Sequence, residues 1–291
     1  MAQITTPSLI SAPSPEPYWL GRASDEQKRL LKQHSIWTKA IGYQLHPSVT
    51  SKLPPNARIA DIGTGTGIWP VEMAQLHPTY SFHGFDISSE QFLPKDSLPE
   101  NVTLGHGDFF APIPEELQGM FDLVNVRLII ISLGPVEVWQ KVLSNILTLL
   151  KPGGAICWTE GNFLVARGFR GQQDSTPGHH LTRGQLQLNN TLIRRFGYSF
   201  PSFMKLFEDV GLQDVAEDVL STDRDPAQRG EFTDLGIGAV FGGLRNLAKV
   251  KEEGYWDESE VEKRKALAMQ DRESGAYLRW DIHVGVGFTA A

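Results

Sequence analysis

The stretch Arg58-Ile59-Ala60-Asp61-Ile62-Gly63-Thr64-Gly65-Thr66-Gly67 decides the fold. It begins as a short apolar run and ends in three glycines alternating with threonines. Ile59 and Ile62 enclose small or acidic residues, the texture of a buried parallel strand. Ile68-Trp69-Pro70 follows, and proline suits the first turn of a helix, where a missing N–H costs little. Val71, Met73, Ala74 and Leu76 then fit a core-facing helix. A strand, a tight glycine loop and a helix bring bare backbone and a helix N-terminus close to a ligand.

The glycine spacing separates two kinds of ligand. Dinucleotide loops run G-x-G-x-x-G. Here the third glycine comes one residue early, at Gly67, and Ile68 holds the place the dinucleotide pattern needs. Asp61 stands ahead of the first glycine. A carboxylate there repels a pyrophosphate and suits an ammonium group, so a nicotinamide reductase is disfavoured. The D-x-G-x-G-x-G run resembles motif I of the class I S-adenosylmethionine-dependent methyltransferases.

Composition bounds the rest. A chain of 291 residues can hold a large core domain with additions. A net charge of -7 argues against nucleic-acid binding, which needs clustered cations. With Cys157 the lone cysteine, no intramolecular disulfide can form, and in a buried strand it reads as a small apolar residue. The N-terminus lacks the basic start and apolar run of a secretory signal. The apolar run at 128–133 is too short to span a bilayer. The expectation is a cytoplasmic protein without membrane contact.

Along the chain, 1–17 carries Pro7, Pro13, Pro15 and Pro17 among serines and threonines, a disordered lead-in. Residues 18–53 form a helical cap: Ser24 starts a helix that places Leu30, Leu31, His34 and Trp37 on one face. Residues 54–160 form the core. Strands are expected at 80–87, 101–104, 121–127 and 155–160, with a long amphipathic helix at 135–150 that Gly153 and Gly154 follow. This alternation indicates a parallel sheet with helices on both faces. In 161–291 the polar, glycine-rich segment 165–184 reads as an active-site cover. Helices at 186–196 and 200–210, a strand at 212–220, a charged helical piece to about 272 and a terminal strand at 279–288 complete it.

Further matches strengthen the resemblance. Gly84-Phe85-Asp86-Ile87 resembles the family's ribose-acid motif, Gly107-Asp108-Phe109 its adenine motif and 121–127 its fourth-strand motif. Upstream, Tyr18-Trp19-Leu20-Gly21-Arg22 and Gly42-Tyr43-Gln44-Leu45-His46-Pro47 are similar to a fungal branch of secondary-metabolite methyltransferases that includes the gliotoxin-pathway N-methyltransferase. The resemblance implies a Rossmann-like three-layer α/β/α sandwich. Its sheet has seven strands, mostly parallel with the last antiparallel, beside an N-terminal helical cap and helical insertions. It implies S-adenosyl-L-methionine as cofactor and a small natural product as methyl acceptor at O, N or S. A homodimer is also open.

Residue roles follow from these motifs. Gly63, Thr64, Gly65 and Gly67 hold the methionine part, with Asp61 near its ammonium. Asp86 at a strand end is placed to accept both ribose hydroxyls. Asp108, with Gly107, is expected to face the adenine amino group, with Phe109 or Ile87 flanking the ring. Backbone at Asn125, Val126 and Arg127 passes beneath the sulfonium. Tyr18 and Arg22 close over the cofactor, Arg22 pairing its carboxylate. For a general base, His34 comes first, because its pKa class suits neutral pH, with packing inside the cap as the alternative. Glu160, an acid at a strand end, comes second. His179-His180 carries no acid or cysteine cluster, so no metal site is expected. Trp37, Trp69 and Trp139 could wall a substrate, but such aromatics are more often core. Two other functions stay open: a non-methylating dehydration or cyclisation at the same cofactor, and a regulatory role through the cap helices.

Overall fold

The computed structural model describes residues 24–170, 173–174, 179–249 and 255–291. The glycine loop leaves β1 (Arg58–Ile62), which lies inside the sheet with four of its five residues buried. β1 pairs in parallel with β2 (Ser81–Asp86) on one side and β4 (Phe121–Arg127) on the other. β3 (Val102–His106) extends the sheet beyond β2, and β5 (Leu150–Arg170) extends it beyond β4, both in parallel. A stub, β6 (Gln173–Asp174), folds back on the end of β5. β7 (Gln213–Ser221) and the closing β8 (Ala276–Phe288) complete the order β3-β2-β1-β4-β5-β8-β7. β8 is antiparallel to both of its neighbours, as the resemblance implies for the last strand. The chain winds outward in opposite directions from β1 and β4, so the crevice at their C-terminal ends is where an open α/β sheet binds ligands.

Helices cover both faces. α1 (Ser24–Ile41), α3 (Ile68–Leu76), α7 (Arg229–Ala248) and α8 (Glu258–Glu273) contribute to one apolar core, and α4 (Val136–Leu147) and α6 (Phe203–Asp209) to the other. α2 is a single turn at Pro47–Thr50, and α5 (His180–Phe196) packs beside α7 and α8. α4 places Trp139, Val142, Leu143 and Ile146 on one face, all fully buried. Each such side chain contributes about 2 kcal/mol of apolar burial. Trp37 and Trp69 are likewise core residues. No helix among the described residues is long and apolar enough to cross a membrane.

Two expectations need correction. Residues 165–170 are not a loop: β5 runs unbroken to Arg170, because 167–170 pair with Ala276 to Arg279 of β8. The polar, glycine-rich texture there is that of a strand end supported by a partner more than a hundred residues away in sequence. α5 already begins at His180, and 171–172 and 175–178 lie outside the described residues. Leu76, taken as core-facing, is the last residue of α3 and is 62% exposed.

Candidate active site

The glycine loop adopts left-handed backbone three times, with φ of 67° at Gly63, 59° at Gly65 and 81° at Gly67. Space as well as strain demands glycine. A Cβ on Gly63 would lie 2.5 Å from Ile129 Cγ2, and one on Gly67 2.5 Å from Leu104 Cδ1. The amides of Gly63 and Thr64 both donate to Phe85 O, at 2.8 and 3.0 Å, which folds the loop over the end of β2. Gly65 N then donates to Asp86 Oδ2 at 2.8 Å, and Ser88 N to Asp86 Oδ1 at 3.1 Å. A carboxylate has about two acceptor positions per oxygen, so Asp86 can take ligand hydroxyls beside these amides.

Beneath the loop sits Asp61, 3% exposed. Its Oδ2 accepts from Thr64 Oγ1 at 2.5 Å and its Oδ1 from Asn125 Nδ2 at 2.7 Å. Burial raises the Asp61 pKa, and Arg127 with these two hydrogen bonds opposes the rise. Arg127, at the end of β4, is open only in part, toward the cavity it lines. Its Nη2 lies 3.0 Å from His34 Nδ1. Its Nε is buried with no hydrogen-bond partner among the described residues. His34 Nε2 in turn lies 2.9 Å from Glu72 Oε2, which also accepts from Gln44 Nε2 at 2.6 Å. Burial first, and then the Arg127 charge, lower the His34 pKa.

The glycine loop, Asp61, Asp86, His34 and Arg127 line one end of a cavity of about 260 Å³. α1 roofs it, tied down by Gln27 Nε2 donating to Gln91 O at 3.1 Å. Ile129, Ile130 and Ile131 wall the middle, in the loop that β4 enters through Leu128 at φ 59°. α5 and α7 enclose the far end.

Of the residues singled out from sequence, the cavity gathers His34, Asp61, Gly63, Thr64, Gly65, Asp86, Ile87, Phe109 and Arg127. Gly67 sits behind the loop against Leu104 as the N-cap of α3. Gly107, Asn125 and Val126 lie outside the lining, Asn125 serving Asp61 from below. Asp108 is also outside it: the side chain is buried and its Oδ1 accepts from Phe110 N at 2.9 Å, closing a turn. Glu160 is fully buried and does not reach the cavity. Its Oε1 accepts from Ile129 N at 2.8 Å and Trp158 Nε1 at 3.0 Å, so it pins the cavity wall from behind. Burial pushes its carboxyl up to about 8. Tyr18 and Arg22 lie outside the described residues. His179 Nδ1 lies 3.2 Å from Asp271 Oδ2 at the start of α5, away from this cavity. Sequence reasoning missed Glu72, and also Gln185 and Asn189 of α5. The last two carry a readable signal: they take the inward face while Leu186 and Ile193 face solvent.

Residues 39–217 match the family model described as a methyltransferase domain, and the chain belongs to that family. It is 35% identical over 145 residues to N-methyltransferase tcpN of Claviceps purpurea, covering 50% of this chain and 52% of that one. It is 30% identical over 149 residues to N-methyltransferase gliN of Aspergillus fumigatus, covering 50% of each. The chain thus spans about half the length of these curated relatives. Among solved structures, Haemonchus contortus phosphoethanolamine N-methyltransferase 2, in complex with phosphomonomethylethanolamine and S-adenosylhomocysteine, superposes with a TM-score of 0.51. That match has 13% identity and covers 96% of this chain and 62% of that one, a likeness of fold.

Proposed function

We propose that this chain transfers a methyl group from S-adenosylmethionine to a nitrogen, oxygen or sulfur of a small molecule. The names of the relatives favour nitrogen. The carrying observation is the order of groups along one wall: Asp86 at the glycine loop, then Asp61, then Arg127 with an orphaned Nε. A nucleoside joined to an amino acid presents ribose hydroxyls, an ammonium and a carboxylate, and this wall complements all three. Asp86 would hold the ribose between Ile87 and Phe109, which flank the base. The bare backbone at Gly63 and Gly65 would lie against the linker, where a Cβ would intrude. Asp61 would face the ammonium. Arg127, a donor-only group short of an acceptor, would hold the carboxylate.

When bound, S-adenosylmethionine supplies a methyl group on a sulfonium, and its transfer to a nucleophile discharges the sulfur. The chain then has to orient and keep dry rather than form a covalent partner. Ile129, Ile130 and Ile131 exclude water at mid-cavity. His34 acts as a positioning residue. Arg127 has only donors, so His34 accepts at Nδ1 and donates from Nε2 to Glu72. Both ring nitrogens are committed, which leaves none to take a proton from an acceptor. The test is incubation with deuteromethyl-labelled S-adenosylmethionine and a panel of small N–H, O–H and S–H compounds, read by mass spectrometry. A labelled methyl group on a product supports transfer. Binding of the cofactor with no methylated product from any nucleophile class opposes it.

A further inference from the structure

The far end of the cavity differs in chemistry from the end just described. Every acidic, basic or histidine side chain on the described lining (Glu26, Arg29, His34, Asp61, Asp86 and Arg127) comes from α1, β1, β2 or β4. The walls from α5 and α7 carry none. They present Leu188, Leu192 and Val240, interrupted by two amides, Gln185 and Asn189. These amides are 3% and 5% exposed, while Leu186 and Ile193 of the same helix are 47% and 46% exposed. Stability alone would favour the reverse arrangement, because buried polar groups cost free energy unless satisfied.

The hydrogen bonds fix the orientation of the two amides. The pairing of β5 with β8 slips between Asn162 and Arg167, so Phe163 stands outside the paired register. Phe163 O accepts from Asn189 Nδ2 at 3.0 Å and Gln185 Nε2 at 3.4 Å. A carbonyl only accepts, so both amide nitrogens must point to it. Gln185 Nε2 also donates to Asn189 Oδ1 at 2.8 Å. Among the described residues no hydrogen bond reaches Gln185 Oε1.

Resting on the cofactor reading above, we infer that this end binds the methyl acceptor as an uncharged, largely apolar molecule, recognised through one N–H or O–H donated to Gln185 Oε1. A charged acceptor would lose its hydration there with no counter-charge to replace it. Leu188, Leu192 and Val240 supply contact area, and Asn189 holds the Gln185 amide in one orientation.

The full chain, loaded with S-adenosylhomocysteine, is titrated by ligand-observed NMR with indole, carbazole and 2-quinolinone. The N-methyl counterpart of each, and then phosphoethanolamine and tyramine, follow. The N–H compounds should bind, their N-methyl counterparts about five-fold more weakly, and the charged amines not at all. Gln185→Met should erase the N–H preference while leaving S-adenosylhomocysteine affinity unchanged. Should that variant fail to fold, the wild-type comparison of each N–H compound with its N-methyl counterpart still decides. S-adenosylhomocysteine bound, but with charged amines preferred, no neutral compound bound, or the preference intact in Gln185→Met, overturns this inference alone. No S-adenosylhomocysteine binding overturns the cofactor reading beneath it.

Discussion

Arg127 Nη2 and His34 Nδ1 stand 3.0 Å apart, joining the end of β4 to the helix that roofs the cavity. The contact makes His34 an acceptor and aims the guanidinium. Burial works against the Arg127 charge, and Asp61 favours it. A ligand carboxylate would complete the group. Arg127→Met should therefore weaken S-adenosylhomocysteine binding by about 10- to 100-fold, the worth of charge-assisted hydrogen bonds. 5′-Methylthioadenosine, which lacks the amino-acid end, should bind both forms alike. Isothermal titration with the two ligands checks this. Equal loss for both would make Arg127 a scaffold residue.

The same contact has a pH consequence. Burial and Arg127 lower the His34 pKa, so between that value and the ordinary histidine range the unfolded chain binds more protons than the folded one. Folding stability should then fall as pH drops below about 6.5. His83 adds to the slope, since burial pushes its pKa down to about 4. Urea denaturation at pH 7 and pH 5 should show a marked loss in the wild type and a smaller one in His34→Gln. An equal loss in both would mean that His34 titrates normally.

Glu160 titrates in the opposite sense. Burial holds its carboxyl protonated up to about pH 8, so the folded state binds the extra proton. Its contribution to stability is complete below the ordinary carboxylate pKa and is lost progressively as pH rises to about 8. Glu160→Gln keeps an oxygen for Ile129 N and Trp158 Nε1 and cannot ionise. Thermal melts at pH 6 and pH 8.5 should show a drop in the wild type that the variant lacks. A parallel drop would place the titrating group elsewhere.

What the sequence made legible was local. The glycine loop could be read because its left-handed backbone excludes other residues at Gly63 and Gly67 whatever the partner. The place of Asp86 could be read because an acid closing the second strand falls at the C-terminal edge of the sheet, where the cavity lies. What could not be read depended on distant partners. β5 reaches Arg170 only because β8 is there to pair with it. His34 has the pKa class of a base, but Arg127 and Glu72 lie 93 and 38 residues away in sequence and occupy both its nitrogens. Arg127 was expected to contribute backbone; that its guanidinium also reaches His34 across the cavity wall depends on α1 and could not be read locally. Glu160 sits at a strand end as an active-site acid would. The Ile129 amide takes its Oε1, and the wall closes over it.

The decisive measurement is isothermal titration of the purified chain with S-adenosylhomocysteine and, separately, with NADH. If the loop from Asp61 to Gly67 holds an amino-acid tail, S-adenosylhomocysteine binds at one site per chain, Asp86→Ala weakens it at least about ten-fold, and NADH shows no saturable heat. Saturable NADH binding with none for S-adenosylhomocysteine, or an Asp86→Ala affinity equal to wild type, would contradict it.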